Sequence, residues 1–151
     1  RVAGPRHQQP LKIGGLIVAP NICYEDLFGE EIIRQLPAAT VLLNFSNTAW
    51  FGDSLAQPQH LQISRMRALE TGRPMLRATN TGMTAAIGPD GNVIDVLPAF
   101  TTDALTVNVQ GYTGTTPYIV YGNYGVLVLL AAGFAVVAVC RRKGLRRWPA
   151  R

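Results

Sequence analysis

Leu16-Ile17-Val18-Ala19-Pro20-Asn21-Ile22-Cys23-Tyr24-Glu25-Asp26-Leu27-Phe28-Gly29-Glu30 is the stretch whose reading decides the fold. Leu16 to Ala19 is a short continuous apolar run, the pattern of a strand covered on both faces. Pro20 and Asn21 break it, and a helical pattern begins near Asp26. Cys23 is thereby expected on the turn between a strand and a helix, with its side chain projecting from the sheet edge. Free backbone N–H groups at such a turn can stabilise an oxyanion or a thiolate. A buried structural cysteine is the ordinary alternative. The flanking Tyr24-Glu25 pair and the strand-to-helix position favour a reactive one.

Working outward, Lys12 to Ala19 reads as the first strand. Asp26 can cap the next helix, in which Leu27, Phe28, Ile32, Ile33 and Leu36 recur at helical spacing until Pro37 ends it. Thr40 to Phe45 is a second buried strand, and Ser46-Asn47 turns the chain into a loop holding Trp50 and Phe51. From Ser54 to Thr71 the pattern is helical, with Leu61, Met66 and Leu69 on the inner side and Gly72 as C-cap. Short strands follow at Met75–Ala78, Met83–Ile87 and Val93–Val96, with Pro89-Asp90-Gly91-Asn92 as a hairpin turn between the last two. Ala104 to Val109 reads as a further strand. Alternating strands and helices followed by a hairpin define an α/β domain with helices layered on a sheet.

The net charge of +5 is unevenly placed. Arg141, Arg142, Lys143, Arg146, Arg147 and Arg151 lie together at one end, leaving eight basic against nine acidic side chains in the other 140 residues, a net −1. A cluster of this kind, without stacking aromatics, argues against a nucleic-acid surface. The two cysteines, Cys23 and Cys140, are far apart, and no metal-type Cys/His spacing is present. The chain opens on Arg1-Val2-Ala3-Gly4-Pro5 without an initiating Met, and residues 1–12 read as a loop in the middle of a longer protein.

The last third changes character. Between Tyr118 and Cys140 only Asn123 is strongly polar. A helix of these 23 residues would span roughly 34 Å, against about 30 Å of bilayer hydrocarbon. Tyr118, Tyr121 and Tyr124 cluster at one end like an interfacial aromatic belt, and the basic residues sit at the other. A buried core helix is the alternative. The expected order is therefore an α/β domain over 13–117, a transmembrane helix over 118–140 and a basic cytoplasmic tail over 141–151.

Ile22-Cys23-Tyr24-Glu25 followed by Gly29-Glu30 resembles the nucleophile segment of the nitrilase superfamily, and in particular its membrane-bound, lipoprotein-acylating branch. Three further stretches resemble that branch: Asn44 to Asp53; Gln59-His60 on through Arg65 to Pro74; and Arg77 to Gly82 with Gly88-Pro89-Asp90-Gly91. The likeness runs from about Ile13 to the C-terminus. It implies the C-terminal part of a four-layer αββα sandwich, followed by one transmembrane helix.

The resemblance also implies a Glu–Lys–Cys triad: a Glu as general base, a Lys that stabilises the oxyanion, and Cys23 as the nucleophile. The family places its Glu and Lys well upstream of the cysteine. Of the two lysines here, Lys143 follows the span and Lys12 is only eleven residues before Cys23, so neither fits. Without them this stretch alone is expected not to turn over. The Tyr24 backbone N–H is a candidate oxyanion donor. Glu25 is either a supporting acid for the thiol and substrate or a helix N-terminal acid stabilised by the dipole. Trp50 and Phe51 are candidate acyl-chain contacts, with core packing as the alternative. Arg67, Glu70 and Arg73 read as a structural ion-pair set, Asn80 and Gly82 as strand-end scaffold, and His7 and His60 as surface groups or groups behind the site.

What the branch implies as function is a two-step transfer. Cys23 takes an acyl chain from a phospholipid as a thioester, and the amine of a lipoprotein's diacylglyceryl-modified N-terminal cysteine then accepts it. Neither a metal nor an organic cofactor is implied. The implied location is the bacterial inner membrane, multi-pass in the whole protein, with the catalytic domain periplasmic. Two rivals stand beside this: a membrane-tethered nitrilase-type amidase acting on a small amide or nitrile, and a non-catalytic membrane-anchored fragment.

Overall fold

The computed structural model describes residues 8–145. Six strands form one mixed sheet in the order β1 (Leu11–Ile13), β2 (Leu16–Ile22), β3 (Val41–Ser46), β4 (Met75–Thr79), β5 (Ala85–Ile87) and β6 (Val93–Val96). The central pairs β2–β3 and β3–β4 are parallel and the outer ones antiparallel. The helices are α1 (Gly29–Ile32), α2 (Ala56–Thr71), α3 (Pro117–Tyr121) and α4 (Tyr124–Leu145).

The first strand expected from sequence is a hairpin. Gly14 and Gly15 both have positive φ, 54° and 83°, and turn β1 into β2. Such a two-residue turn matches the twist of the strands it joins and needs residues that tolerate this backbone. Lys12 therefore sits exposed on an edge strand, and only residues 1–10 of the expected N-terminal loop precede it, those before Gln8 lying outside the described residues. Nor do Pro20 and Asn21 break β2, which continues to Ile22. The β1 pairing stops at Val18, so at Pro20 the strand has β3 as its only neighbour and the missing N–H is tolerated.

Between β2 and β3 the expected helix is a succession of short pieces: a 3₁₀ turn over Cys23–Leu27, α1, and a second 3₁₀ turn over Ile33–Gln35. It stops where expected, Leu36 being extended ahead of Pro37. Ala104 to Val109 forms no strand. Leu105, Val107 and Val109 are half-buried between exposed neighbours, but the segment joins no ladder of the sheet.

The main core lies on the helix-facing side of the sheet, while Val18, Val41 and Ala86 are buried on the other. Ala19, Leu42, Met75, Ala85 and Ile87 meet Ile32 of α1 and Leu61 and Ala68 of α2. The α2 helix presents an unusual inner stripe: Gln57, His60, Leu61, Ser64, Ala68 and Thr71 are its buried residues. Met66 and Leu69, expected inward, are 42% and 53% exposed. Gly72 ends the helix in the left-handed conformation (φ 59°), as expected. On the other face of the sheet Ile22 and Phe45 stand 65% and 49% exposed.

The apolar C-terminal run is two helices. Thr116 caps α3, its Oγ1 accepting from the Ile119 N–H, and Pro117 occupies the first turn. Gly122, at φ 53°, closes α3, and the carboxylate of Glu30 accepts from the Asn123 N–H just before α4 starts. From Tyr124 to Arg142, 19 residues are long and apolar enough to cross a membrane, and none of that window is buried by the described chain. The described residues thus do not form the core that the alternative of a buried helix requires. Arg146, Arg147 and Arg151 of the basic tail lie outside the described residues.

Candidate active site

The carboxyl ends of the parallel strands β2, β3 and β4 face the same way, and the loops leaving them meet. This is where open α/β sheets build their sites. Cys23 is the first residue beyond β2. Its backbone lies in the left-handed region at φ 55°, one of two non-glycine residues among the described ones with positive φ. A side chain in that conformation costs on the order of 1–3 kcal/mol and persists only where the surroundings over-determine it. The thiol is unpaired and half-buried.

A polar floor holds this residue. By strand register, Asn21, Asn44 and Arg77 lie side by side across β2, β3 and β4 on the helix-facing side. The Asn44 side-chain amide donates to the Cys23 carbonyl at 3.0 Å and to Asn21 Oδ1 at 2.6 Å. Ser46 Oγ in turn donates to Asn44 Oδ1. All three side chains are buried, so each bond replaces water the group has lost.

The turn itself is tied down residue by residue. The Glu25 carboxylate folds back and accepts from the Ile22 N–H at 2.6 Å, a cap on its own turn. The Tyr24 ring stacks on His60 (5.7 Å, 19° between planes) and meets Phe51 edge-on at 5.8 Å. Desolvation, and then the nearby Cys23, push its phenol pKa up. The first N–H groups of a helical turn have no acceptor within it, which leaves the donors after Cys23 available.

Asp26 does not cap a helix. It is fully buried, with its carboxylate 2.9 Å from His60 Nε2, accepting from Ser64 Oγ at 2.7 Å, and 3.6 Å from Arg77 Nη1. Arg77 is buried too, donating to Ser64 Oγ at 2.8 Å and to the Met83 carbonyl at 3.2 Å. Burial lowers its pKa, against the opposing pull of Asp26 and Cys23. His60 is thus a buried group behind the site, one of the two positions left open for it by the sequence. His7 lies outside the described residues. The expected ion-pair set divides: Arg67 and Glu70 pair at 3.1 Å, but Arg73 has no acidic partner among the described residues. It is buried instead among carbonyls, donating to Ala39 at 2.8 Å and Gly114 at 2.7 Å.

Two further loops frame the site. Trp50 and Phe51 lie on a 3₁₀ turn over Ala49–Phe51. Trp50 is 85% exposed, outside the core of the described residues, and Leu55 beside this loop is 76% exposed. The loop is pinned from behind: Asn80 Oδ1 accepts from the Thr48 N–H at 3.0 Å, and the Gln57 amide donates to the carbonyls of Thr48 and Gly52. Gly82 belongs to this scaffold, because a Cβ there would come within 2.7 Å of both Gln57 Oε1 and Thr48 Oγ1. Among the described residues no three His, Cys, Asp or Glu side chains converge as a metal site would require.

A cysteine held in a left-handed turn at the carboxyl end of a parallel strand, on a sheet backed by helices, defines a class. The chain belongs to the carbon–nitrogen hydrolase family, whose model matches residues 2–118. Its fold is similar to that of the Nesterenkonia AN1 amidase of the nitrilase superfamily, at 24% identity and a TM-score of 0.54 over 65% of this chain and 40% of that one. The Helicobacter pylori carbon–nitrogen hydrolase is alike at 16% identity and a TM-score of 0.57 over 65% of this chain and 42% of the other.

Within the family, the chain is similar to proteins named apolipoprotein N-acyltransferase. That of Nitrosomonas europaea is 56% identical over 146 residues, covering 94% of this chain and 29% of the relative. That of Ralstonia nicotianae is 60% identical over 134 residues, covering 83% and 26%. The chain spans less than a third of the length of either relative.

Proposed function

We infer that this chain is the nucleophile-bearing and membrane-anchoring part of a lipoprotein N-acyltransferase. The observation that carries the inference is the conformation of Cys23: a strained turn on a polar floor, with Tyr24 packed edge-on against Phe51, on a chain that continues into an apolar helix the described residues leave uncovered. The names borne by the relatives support the same conclusion.

In the first step the Cys23 thiolate attacks the carbonyl carbon of a phospholipid ester. The tetrahedral oxyanion is stabilised by N–H groups following Cys23, that of Tyr24 foremost. Its collapse breaks the acyl–oxygen bond, and the lysophospholipid oxygen leaves with a proton, so that the acyl chain stays on sulfur. In the second step the amine of a diacylglyceryl-modified N-terminal cysteine attacks the thioester. An amide forms, the amine proton is lost, and the Cys23 sulfur is released. The general base and the oxyanion-binding lysine that the family resemblance implies come from the upstream part of the whole protein. Lys12, exposed on edge strand β1, supplies neither.

Glu25 supports the turn through its bond to the Ile22 N–H. Trp50 and Phe51 give the donor's acyl chain an apolar surface at the mouth. Crossing the bilayer along Tyr124–Arg142, with Arg141 and Arg142 at the cytoplasmic end, leaves Cys23 on the opposite, periplasmic face. Both substrates are lipid-anchored, and confinement to one surface raises their effective concentration at the thiol. A small-amide hydrolase would share Cys23 but use neither the exposed aromatics nor α4.

The test is conversion of a diacylated lipopeptide to the triacylated form by the full-length protein in phospholipid vesicles. Cys23→Ser is expected to abolish it. Triacylation by the Cys23→Ser protein at the wild-type rate would end this account.

A further inference from the structure

The cluster beneath the turn is more elaborate than the fold needs. Asp26, His60, Ser64 and Arg77 come from the nucleophile turn, α2 and β4, and all four are buried. Both carboxylate oxygens of Asp26 are engaged, Oδ1 with His60 Nε2 and Oδ2 with Ser64 Oγ and Arg77. Arg77 Nη2 is buried without a partner among the described residues. A buried ion pair is a poor route to stability, because desolvation of both charges offsets their attraction and apolar replacements are often as stable. What such a pair supplies well is a single geometry.

That geometry falls on one strained residue. The 3₁₀ turn Cys23–Leu27 is gripped at the carbonyl of its first residue by Asn44 and at the carboxylate of its fourth by the buried cluster. Between the grips, the Tyr24 ring lies on the His60 ring. Release of Asp26 would free the turn to relax toward an ordinary backbone at Cys23, carrying the sulfur and the following N–H groups away from a common target.

We propose that Asp26, held by His60, Ser64 and Arg77, is a positioning residue that clamps the nucleophile turn, so that the Cys23 sulfur and the N–H donors after it face one acyl carbon. The proposal rests on Cys23 as nucleophile. It adds a role for a buried carboxylate that touches no substrate.

The experiment uses the full-length protein in phospholipid vesicles and follows single-turnover formation of the Cys23 thioester over a range of phospholipid contents. Misplacement by about an ångström costs up to roughly 100-fold in rate. Asp26→Asn and His60→Leu are therefore expected to slow thioester formation by roughly 10- to 100-fold, with the apparent phospholipid KM unchanged and Cys23 still alkylated by iodoacetamide. His60→Gln returns an N–H donor to Asp26 and is expected to recover most of the rate.

The clamp is overturned by wild-type thioester formation in His60→Leu, or by His60→Gln no faster than His60→Leu, whatever becomes of Asp26→Asn. Rate and KM deteriorating together, in proportion to the folded fraction, would mark the cluster as structural and overturn it as well. Cys23→Ser is assayed alongside. An inactive Cys23→Ser with an unimpaired His60→Leu sinks the clamp alone, whereas an active Cys23→Ser removes the nucleophile and the clamp with it.

Discussion

Asn44 on β3 donates its side-chain amide to the carbonyl of Cys23 across the sheet, at 3.0 Å. The bond joins a buried residue in mid-sheet to the strained residue at the rim. Asn44 also serves Asn21 and Ser46, so its loss leaves several buried polar groups unpaired at once. An unsatisfied buried group costs about 1–3 kcal/mol. Asn44→Ala is expected to destabilise the domain by at least that much. Thermal unfolding of the full-length protein in detergent measures it, and a melting temperature within a degree of wild type would show the floor to be dispensable.

Trp50 should behave in the opposite manner. With 85% of its surface exposed, Trp50→Ala is expected to change stability by less than about 0.5 kcal/mol. If its ring receives the donor's acyl chain, the same substitution raises the KM for long-chain phospholipid several-fold more than that for a short-chain analogue. A Tm loss of many degrees would return Trp50 to the core.

Arg73 separates stability from catalysis. Its buried guanidinium bridges the Ala39 and Gly114 carbonyls, and desolvation lowers its pKa. Arg73→Met strips donors from buried carbonyls and is expected to cost about 1–3 kcal/mol. The thioester-forming rate of the remaining folded protein should be unaltered, as read by combining unfolding curves with single-turnover assays.

Glu70 carries the pH signature. Burial raises its pKa above the ordinary 4.5, with Arg67 opposing. From pH 4.5 up to that raised value the native state binds more protons than the unfolded chain, so stability falls as pH rises. Glu70→Gln removes this contribution and should flatten that part of the profile. Melting temperatures across the window check it, and an unchanged slope in Glu70→Gln would rule Glu70 out as the source.

Much of this was legible in the residues. The apolar runs around Val18 and Leu42 and the Pro89–Asn92 turn placed the central strands and the last hairpin, because burial and turn chemistry are local signals. Other features depended on neighbours. Pro20 looked like a strand breaker because nothing in the sequence tells that β1 stops pairing at Val18. Gly14-Gly15 was a hairpin signal that the surrounding apolar run concealed. Met66 and Leu69 pointed outward because the inner stripe of α2 is mostly polar or small, serving Asp26 and the Trp50 loop rather than the core. The Asp26 cluster was hidden for the same reason: His60, Ser64 and Arg77 lie 34, 38 and 51 positions away in the chain, and no periodicity links them.

The central claim is a covalent one, and mass reads it most directly. Full-length protein incubated with phospholipid and no acceptor is expected to gain the mass of one fatty acyl chain, with neutral hydroxylamine removing it and Cys23→Ser preventing it. An acyl adduct that survives in the Cys23→Ser protein, or triacylation of lipopeptide by a wild-type protein that never carries an adduct, would contradict the account.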